Sequence, residues 1–264
     1  IVRDRKSPTS LTLSVIHHNL RLFIMKKLLS YFYLLWVAIV FTAFMILLLP
    51  VFILPMLLGQ KYGGITYFGL YLWSRIFSIL NFIHYQTIGH ENFDTKKAYI
   101  YASNHTSFLD IPGIVRSVPG QFRPLAKKEL LKVPIFGLIV KVATIAVDRK
   151  SPESRKASLE LLTERIRSGI SLLIFVEGTQ NRSNDPLLPF YDGAFRISRE
   201  TQTDLLPMVI VNAGKLMPPG KFNIKPGTVK MVFGQPVSPN DFASIADMKA
   251  HVREVMIKML EEHS

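Results

Sequence analysis

The chain has 264 residues, enough for one sizeable domain with its own core plus an appended segment. It is 48% hydrophobic with a mean hydropathy of +0.24, too apolar for an ordinary water-soluble domain, and its net charge of +13 asks for an anionic partner: nucleic acid, a membrane surface or a phosphorylated substrate. With no cysteine, disulfides, thiolate metal sites and a cysteine nucleophile are excluded together.

The apolar excess lies near the N-terminus. Residues 31–58 run 28 positions without a charge, more than the roughly 20 needed to span a bilayer. That is also longer than the apolar core of a cleavable signal, about 7–15 residues. Pro50 and Pro55 are expected to kink or end the helix. "MKKLLSYFYLLW" at Met25 reads as a natural start, so residues 1–24 read as an upstream extension. Arg21, Lys26 and Lys27 precede the span and only Lys61 follows it closely, which puts the N-terminus in the cytoplasm. A second apolar segment, residues 64–85 with Arg75 near its middle, either returns across the membrane or lies in the interface with Arg75 snorkelling to head groups. A single crossing would leave the remainder outside, whereas a returning helix or a re-entrant hairpin brings it back to the cytoplasmic face, which is the expected course. Residues 25–85 thus read as a membrane anchor and 86–264 as a globular domain.

In that domain, residues 98–103, 144–148, 171–176, 205–212 and 228–234 read as strands bounded by turn residues. Between the second and third, "SPESRKASLELLTERIRSG" reads as a helix with Leu159, Leu162 and Ile166 on one face and Gly169 at its C-cap. Residues 244–262 predict a closing helix, with Ser244 and Asp247 as a capping box and Met248, Val252, Val255 and Met259 as a core stripe. The alternation of strand and helix predicts an α/β fold with a mixed, largely parallel sheet flanked by helices. The apolar "VPIFGLIV" (133–140) fits either core or membrane contact.

At the end of the first of those strands, "NHTSFLD" places His105 five positions before Asp110. Chance alone supplies roughly 0.24 such spacings in a chain of this composition, so the spacing is weak by itself. Pro112 fits the first turn of a helix, which makes 104–110 a strand-to-helix corner, and α/β folds put their sites at such corners. In a regular helix, residues five apart diverge by about 140°, so pairing needs an irregular turn. A histidine packed beneath the turn with Asp110 as a helix cap fits the same residues.

Three further blocks share the pattern. "ATIAVDR" (143–149), "FVEGTQNRS" (175–183) and "LLPMVIV" (205–211) follow in order, and with "NHTSFLD" the stretch 85–240 resembles the glycerolipid acyltransferases, whose His-x4-Asp motif it matches. Ala143 stands where the second block has Gly, Val176 where the third has Pro, and Gln180 where the third has its phosphate-binding Arg. The anchor suits the bacterial lysophosphatidic acid acyltransferases.

The resemblance implies a glycerol-3-phosphate acyltransferase-like fold and transfer of a fatty acyl group from acyl-CoA or acyl-carrier protein to the free hydroxyl of 1-acylglycerol 3-phosphate, giving phosphatidic acid in phospholipid biosynthesis. The enzyme would work in the cell inner membrane with its catalytic domain on the cytoplasmic side. The donor is a co-substrate; no cofactor, metal or nucleic acid is expected. In that scheme His105 is the base that takes the hydroxyl proton, and Asp110 fixes its tautomer. Lys127, Lys128, Arg149 and Arg182 are the phosphate-binding candidates, while Lys132, Lys141 and Lys150 read as solvated surface charges. The resemblance implies a substrate-binding role for Glu177, which fits equally a carboxylate that organises a neighbouring Arg, and Gly178 and Thr179 read as the turn beside it.

Backbone N–H groups after His105 or near Gly178 are the expected oxyanion donors. Ser103 and Ser107 offer a rival nucleophile, though neither sits in a Gly-x-Ser-x-Gly elbow. Gln180 leaves the acceptor open between lysophosphatidic acid and another lysolipid, such as a lyso-ornithine lipid or lysophospholipid. A non-catalytic, membrane-bound anionic-lipid binder is the reading from another class.

Overall fold

A computed structural model describes residues 8–59, 62–148, 150–221 and 223–264. Seven strands form one sheet: β1 (Ile83–Ile88), β2 (Ile100–Ser103), β3 (Phe122–Lys127), β4 (Ile145–Val147), β5 (Ser171–Phe175), β6 (Leu205–Val211) and β7 (Gly227–Phe233), in the order β1-β7-β6-β2-β5-β3-β4. β6, β2, β5, β3 and β4 are mutually parallel; β7 runs antiparallel to β6 and carries β1 parallel to itself. The mixed, largely parallel α/β architecture is thus the observed one.

Side chains alternate between two cores, as the two-residue period of a strand dictates. Tyr101, Leu173, Leu206, Met208 and Ile210 face one core, which α1 (Pro8–Leu47), α2 (Leu49–Leu57), α3 (Gly63–Leu80), α4 (Asp110–Ser117) and α5 (Phe136–Ala143) help to enclose. Ile100, Ala102, Leu172, Ile174, Leu205, Val209 and Val211 face the other, covered by α6 (Pro152–Arg167), α7 (Gly193–Thr201) and α9 (Ile245–His263). The short α8 (Ala213–Leu216) follows β6. Strands buried on both faces read as near-continuous apolar runs, which is why "SLLIF" and "LLPMVIV" stand out in the sequence.

Capping fits the local sequence. Ser151 Oγ accepts from the Ser154 N–H at the head of α6, and Gly169 follows that helix at φ +81°. Ser244 Oγ accepts from the Asp247 N–H at the head of α9. The α9 stripe is shifted from the expected one: Met248, Val252, Met256 and Met259 are buried, while Val255 lies beside them half-buried.

The apolar N-terminal run divides between two helices. α1 ends at Leu47, and Pro50 starts α2 from its first turn, where a missing N–H costs nothing. Residues Val15–Leu47 of α1 form the one helix among the described residues that is long and apolar enough to cross a membrane. Its later half is tied to the domain: Tyr33 Oη donates to Asn81 O, Trp36 Nε1 donates to Leu80 O, and Phe41 packs edge-on against Trp73 and Phe77. The second apolar segment is not one unbroken membrane helix. Its first part is α3, which buries Tyr67, Leu70, Trp73 and Phe77 against the domain; its last residues begin β1. Ile65, Phe68 and Ile79 on the opposite face of α3 are exposed, as is Arg75.

Candidate active site

Four parallel strands, β2, β5, β3 and β4, lie side by side and end on the same edge of the sheet. The residues that follow them include nearly all the sequence-predicted site residues: His105 and Asp110 after β2, Glu177 to Arg182 after β5, and Lys127 and Lys128 at the end of β3. The carboxyl edge of a parallel sheet is where helix N-termini and loops converge on a ligand. Arg149, after β4, lies outside the described residues.

β2 stops at Ser103, but the next residue keeps the ladder alive. Asn104 Oδ1 accepts from the Ile210 N–H at 2.7 Å and its Nδ2 donates to Ile210 O at 3.1 Å, so a buried side chain stands in for a strand residue and frees the backbone to turn. The turn winds around one oxygen. Asp110 Oδ2 accepts from His105 Nδ1 at 2.7 Å, from the Thr106 N–H at 2.8 Å and from the Ser107 N–H at 2.9 Å. Asp110 is fully buried, whereas the His105 side chain keeps 18% exposure. With Nδ1 as the donor, Nε2 is the lone-pair nitrogen left to meet a substrate. The imidazole also stacks on Phe175, ring centroids 4.0 Å apart and 16° from parallel, which restricts its rotation.

The loop after β5 grips the His105 backbone from both sides. Glu177 Oε1 accepts the His105 N–H at 3.0 Å, and the Asn181 N–H donates to His105 O at 2.7 Å. Glu177 Oε2 accepts the Leu188 N–H at 2.7 Å, so this buried carboxylate pins two loops together. Burial pushes the Glu177 carboxyl above the usual carboxylate range, against the opposing pull of those two N–H donors. Asn181 shapes its own loop: its Oδ1 accepts from Ser183 and its Nδ2 donates to Asp185 O. Gly178 turns at φ +67°, with the Tyr191 ring 2.7 Å from where a Cβ would sit. Thr179 is exposed at the tip and Gln180 half-buried.

Two expectations are corrected here. Of the N–H groups expected as oxyanion donors, those of Thr106 and Ser107 after His105 are committed to Asp110, and that of Gly178 to Phe175 O. The candidate serine nucleophiles face inward. Ser103 is buried and donates to Asn104 O, and buried Ser107 donates to Met217 O while accepting from the Leu109 N–H.

The cationic candidates are spread along the rim. Lys127 pairs with Glu129 at 3.5 Å and Lys128 reaches Asp148 at 4.0 Å; Lys127, Lys128 and Glu129 are exposed and Asp148 is half-buried. At about 4.8 Å per strand, β3 stands about 10 Å from β2, with β5 between them. Arg182 is exposed and lies against the turn at Gly220, close in sequence to Met217, whose carbonyl holds Ser107. An apolar cavity of about 240 Å³ opens beside the corner, lined by Phe108, Leu109 and Pro112 with Phe41 of α1, Phe77 of α3 and Phe136 of α5.

Asn104, Phe175 and Asn181 were not singled out in the sequence. The Asn–x–Ser–Asn–Asp run from Asn181 carries an Asx-turn signal; the other two are visible only through their contacts.

Comparison with known proteins agrees with this architecture. The acyltransferase family model matches residues 84–211. The chain is 30% identical over 230 residues to a 1-acyl-sn-glycerol-3-phosphate acyltransferase of Limnanthes douglasii, covering 84% of this chain and 77% of that protein. It is 29% identical over 189 residues to the human 1-acyl-sn-glycerol-3-phosphate acyltransferase alpha, covering 69% of this chain and 65% of that one. The crystal structure of the 1-acyl-sn-glycerophosphate acyltransferase PlsC from Thermotoga maritima superposes with a TM-score of 0.77 at 23% identity, over 89% of this chain and 96% of that chain.

Proposed function

Because this chain belongs to the glycerolipid acyltransferase family, we propose that it moves a fatty acyl group from an acyl-CoA or acyl-carrier-protein thioester to the free sn-2 hydroxyl of 1-acyl-sn-glycerol 3-phosphate, giving phosphatidic acid. The observation that carries this reading is the bond from His105 Nδ1 to Asp110 Oδ2, made on a turn that three donors to that one oxygen hold in shape.

The step balances on these residues. His105 Nε2 takes the proton from the acceptor hydroxyl as its oxygen bonds to the thioester carbonyl carbon. Asp110 stabilises the imidazolium that forms. Collapse of the tetrahedral intermediate breaks the carbon–sulfur bond, and the imidazolium returns its proton to the departing thiolate. The substrate alcohol is the nucleophile, so no acyl-enzyme forms. The scheme uses no cofactor and no metal.

The setting supports a lipid substrate. The apolar cavity beside the corner has room for part of an acyl chain, while Lys127, Lys128, Arg149 and Arg182 supply the cations for a phosphate. Glu177, Gly178 and Thr179 act as the turn that holds His105 and borders the head group. In this reading α1 anchors the enzyme in the inner membrane, with the catalytic domain on the cytoplasmic side.

Gln180, at the position of the family's arginine, favours one alternative: acylation of a different lysolipid. Membranes carrying the protein, given labelled acyl-CoA and a panel of lysophosphatidic acid, lyso-ornithine lipid and lysophosphatidylcholine, test this directly. The reading expects labelled phosphatidic acid at the highest kcat/KM. Preferential labelling of either other product would reassign the acceptor.

A further inference from the structure

Beyond the end of α3, seven large hydrophobic side chains are exposed among the described residues, and three of them crowd into one stretch: Leu131 (38%), Val133 (43%) and Leu138 (49%). They belong to the 3-10 turn Lys128–Lys132, the link after it and α5. The apolar run 133–140 divides here. Gly137, Ile139 and Val140 are core, whereas Val133 and Leu138 point away from it. A shallow concavity of about 480 Å³ lies over this surface, bordered by Leu131, Val133 and Leu138 and by the side chains of Lys132 and Lys141.

Charge and position narrow what covers it. Between Asp110 and Asp148 the chain carries six Lys and Arg against one acid, Glu129, which already pairs with Lys127. α5 packs against α2, where Leu54, Leu57 and Leu58 are 57%, 70% and 71% exposed. The patch thus sits on a helix in contact with α2, which follows the membrane-length helix α1 and exposes leucines of its own. Exposed aliphatic residues interleaved with lysines are the make-up of an interfacial element: the apolar atoms enter the acyl-chain boundary and the ammonium groups stay among head groups.

We propose that the turn Lys128–Lys132 and the start of α5 form a second membrane contact selective for an anionic leaflet, with Leu131, Val133 and Leu138 inserted and Lys132 and Lys141 on lipid phosphates. Each lysine at an anionic surface strengthens such docking about fivefold. The consequence rests on the acyltransferase reading above. Phe136 of the same helix lines the apolar cavity beside His105, so docking sets that cavity's mouth at the leaflet and a lysolipid enters without crossing water.

The absence of cysteine makes the test clean. Leu131→Cys, Leu138→Cys and, on the opposite layer, Glu160→Cys are each labelled with an environment-sensitive fluorophore in the full-length protein. Each is reconstituted in phosphatidylcholine vesicles with or without one quarter phosphatidylglycerol. Acyl-chain nitroxide lipids are expected to quench the labels at 131 and 138 several-fold more than the label at 160, and more strongly with phosphatidylglycerol. Lys132→Gln with Lys141→Gln should weaken the anionic-lipid increment by about fivefold per lysine. Labels at 131 and 138 as open to aqueous iodide as the one at 160 would overturn the contact. So would shielding that appears only when an acidic soluble protein is added, which would make the face a protein-docking site. Acyl transfer measured on the same samples separates the two ideas: quenching without transfer faults the proposed reaction alone, and transfer without quenching faults this contact alone.

Discussion

His105 and Asp110 meet through a single 2.7 Å hydrogen bond, and the oxygen that accepts it, Asp110 Oδ2, also holds the backbone N–H groups of Thr106 and Ser107. One carboxylate oxygen thus shapes the turn and orients the imidazole. Asp110→Asn is expected to keep the turn's packing but present an amide that no longer enforces the Nδ1–H tautomer. By analogy with triad aspartates, kcat should fall by about 10⁴-fold with little change in KM. Steady-state kinetics with thermal unfolding of the same protein checks this; a loss of folding equal to the loss of activity would contradict it.

Glu177 gives a pH signature. Burial raises its folded-state pKa above its unfolded value, so the folded state holds that proton more tightly. Its contribution to stability is therefore fullest below the ordinary carboxylate pKa of about 4.3 and is lost as pH rises through the raised value. Glu177→Gln removes this titration. It also turns an NH2 group toward one of two backbone donors, at a cost of about 1–3 kcal/mol. Unfolding of both proteins between pH 4 and 8 should show the wild-type advantage shrinking as pH rises; a constant or growing advantage would contradict the assignment.

The serines separate two mechanisms. Ser107 Oγ is buried, donating to Met217 O and accepting from the Leu109 N–H, so Ser107→Ala should cost about 1–3 kcal/mol of stability through those lost bonds and leave acyl transfer within a fewfold of wild type. Ser103→Ala should do the same. Loss of transfer in either with folding intact, or a burst of acyl-enzyme in rapid-quench experiments, would restore the serine route.

Gly178 is constrained twice, by φ +67° and by the Tyr191 ring. Gly178→Ala should lower stability by about 1–2 kcal/mol from the left-handed backbone alone, with a further cost from the ring contact. Tyr191→Ala in the same protein should relieve only the second part. A double-mutant cycle measures the coupling; strictly additive effects would show that the ring is not what blocks the side chain.

How much of this was legible beforehand follows from the kind of interaction involved. The pair His105 and Asp110, the strand before it and the helix carrying Leu162 and Ile166 are local features, written in spacing, turn residues and periodicity. β3 was not readable because Arg123 and Pro124 interrupt "FRPLAK", and tertiary pairing with β4 and β5 overrides that local signal. β1 reads as part of the anchor because Ile83 follows an apolar helix with only two residues between. The grip of Glu177 and Asn181 on His105 spans more than 70 positions of chain, and no local pattern encodes a contact of that range.

The central claim is that His105 Nε2 takes the proton of the acceptor hydroxyl. Its most direct measurement is the rate of transfer from labelled acyl-CoA to lysophosphatidic acid by reconstituted wild type and His105→Ala. Wild type should form phosphatidic acid. His105→Ala, folded to the same melting temperature, should lose at least about 10²–10⁴-fold in kcat, the usual contribution of a general base. Transfer by His105→Ala within a fewfold of wild type would contradict the account.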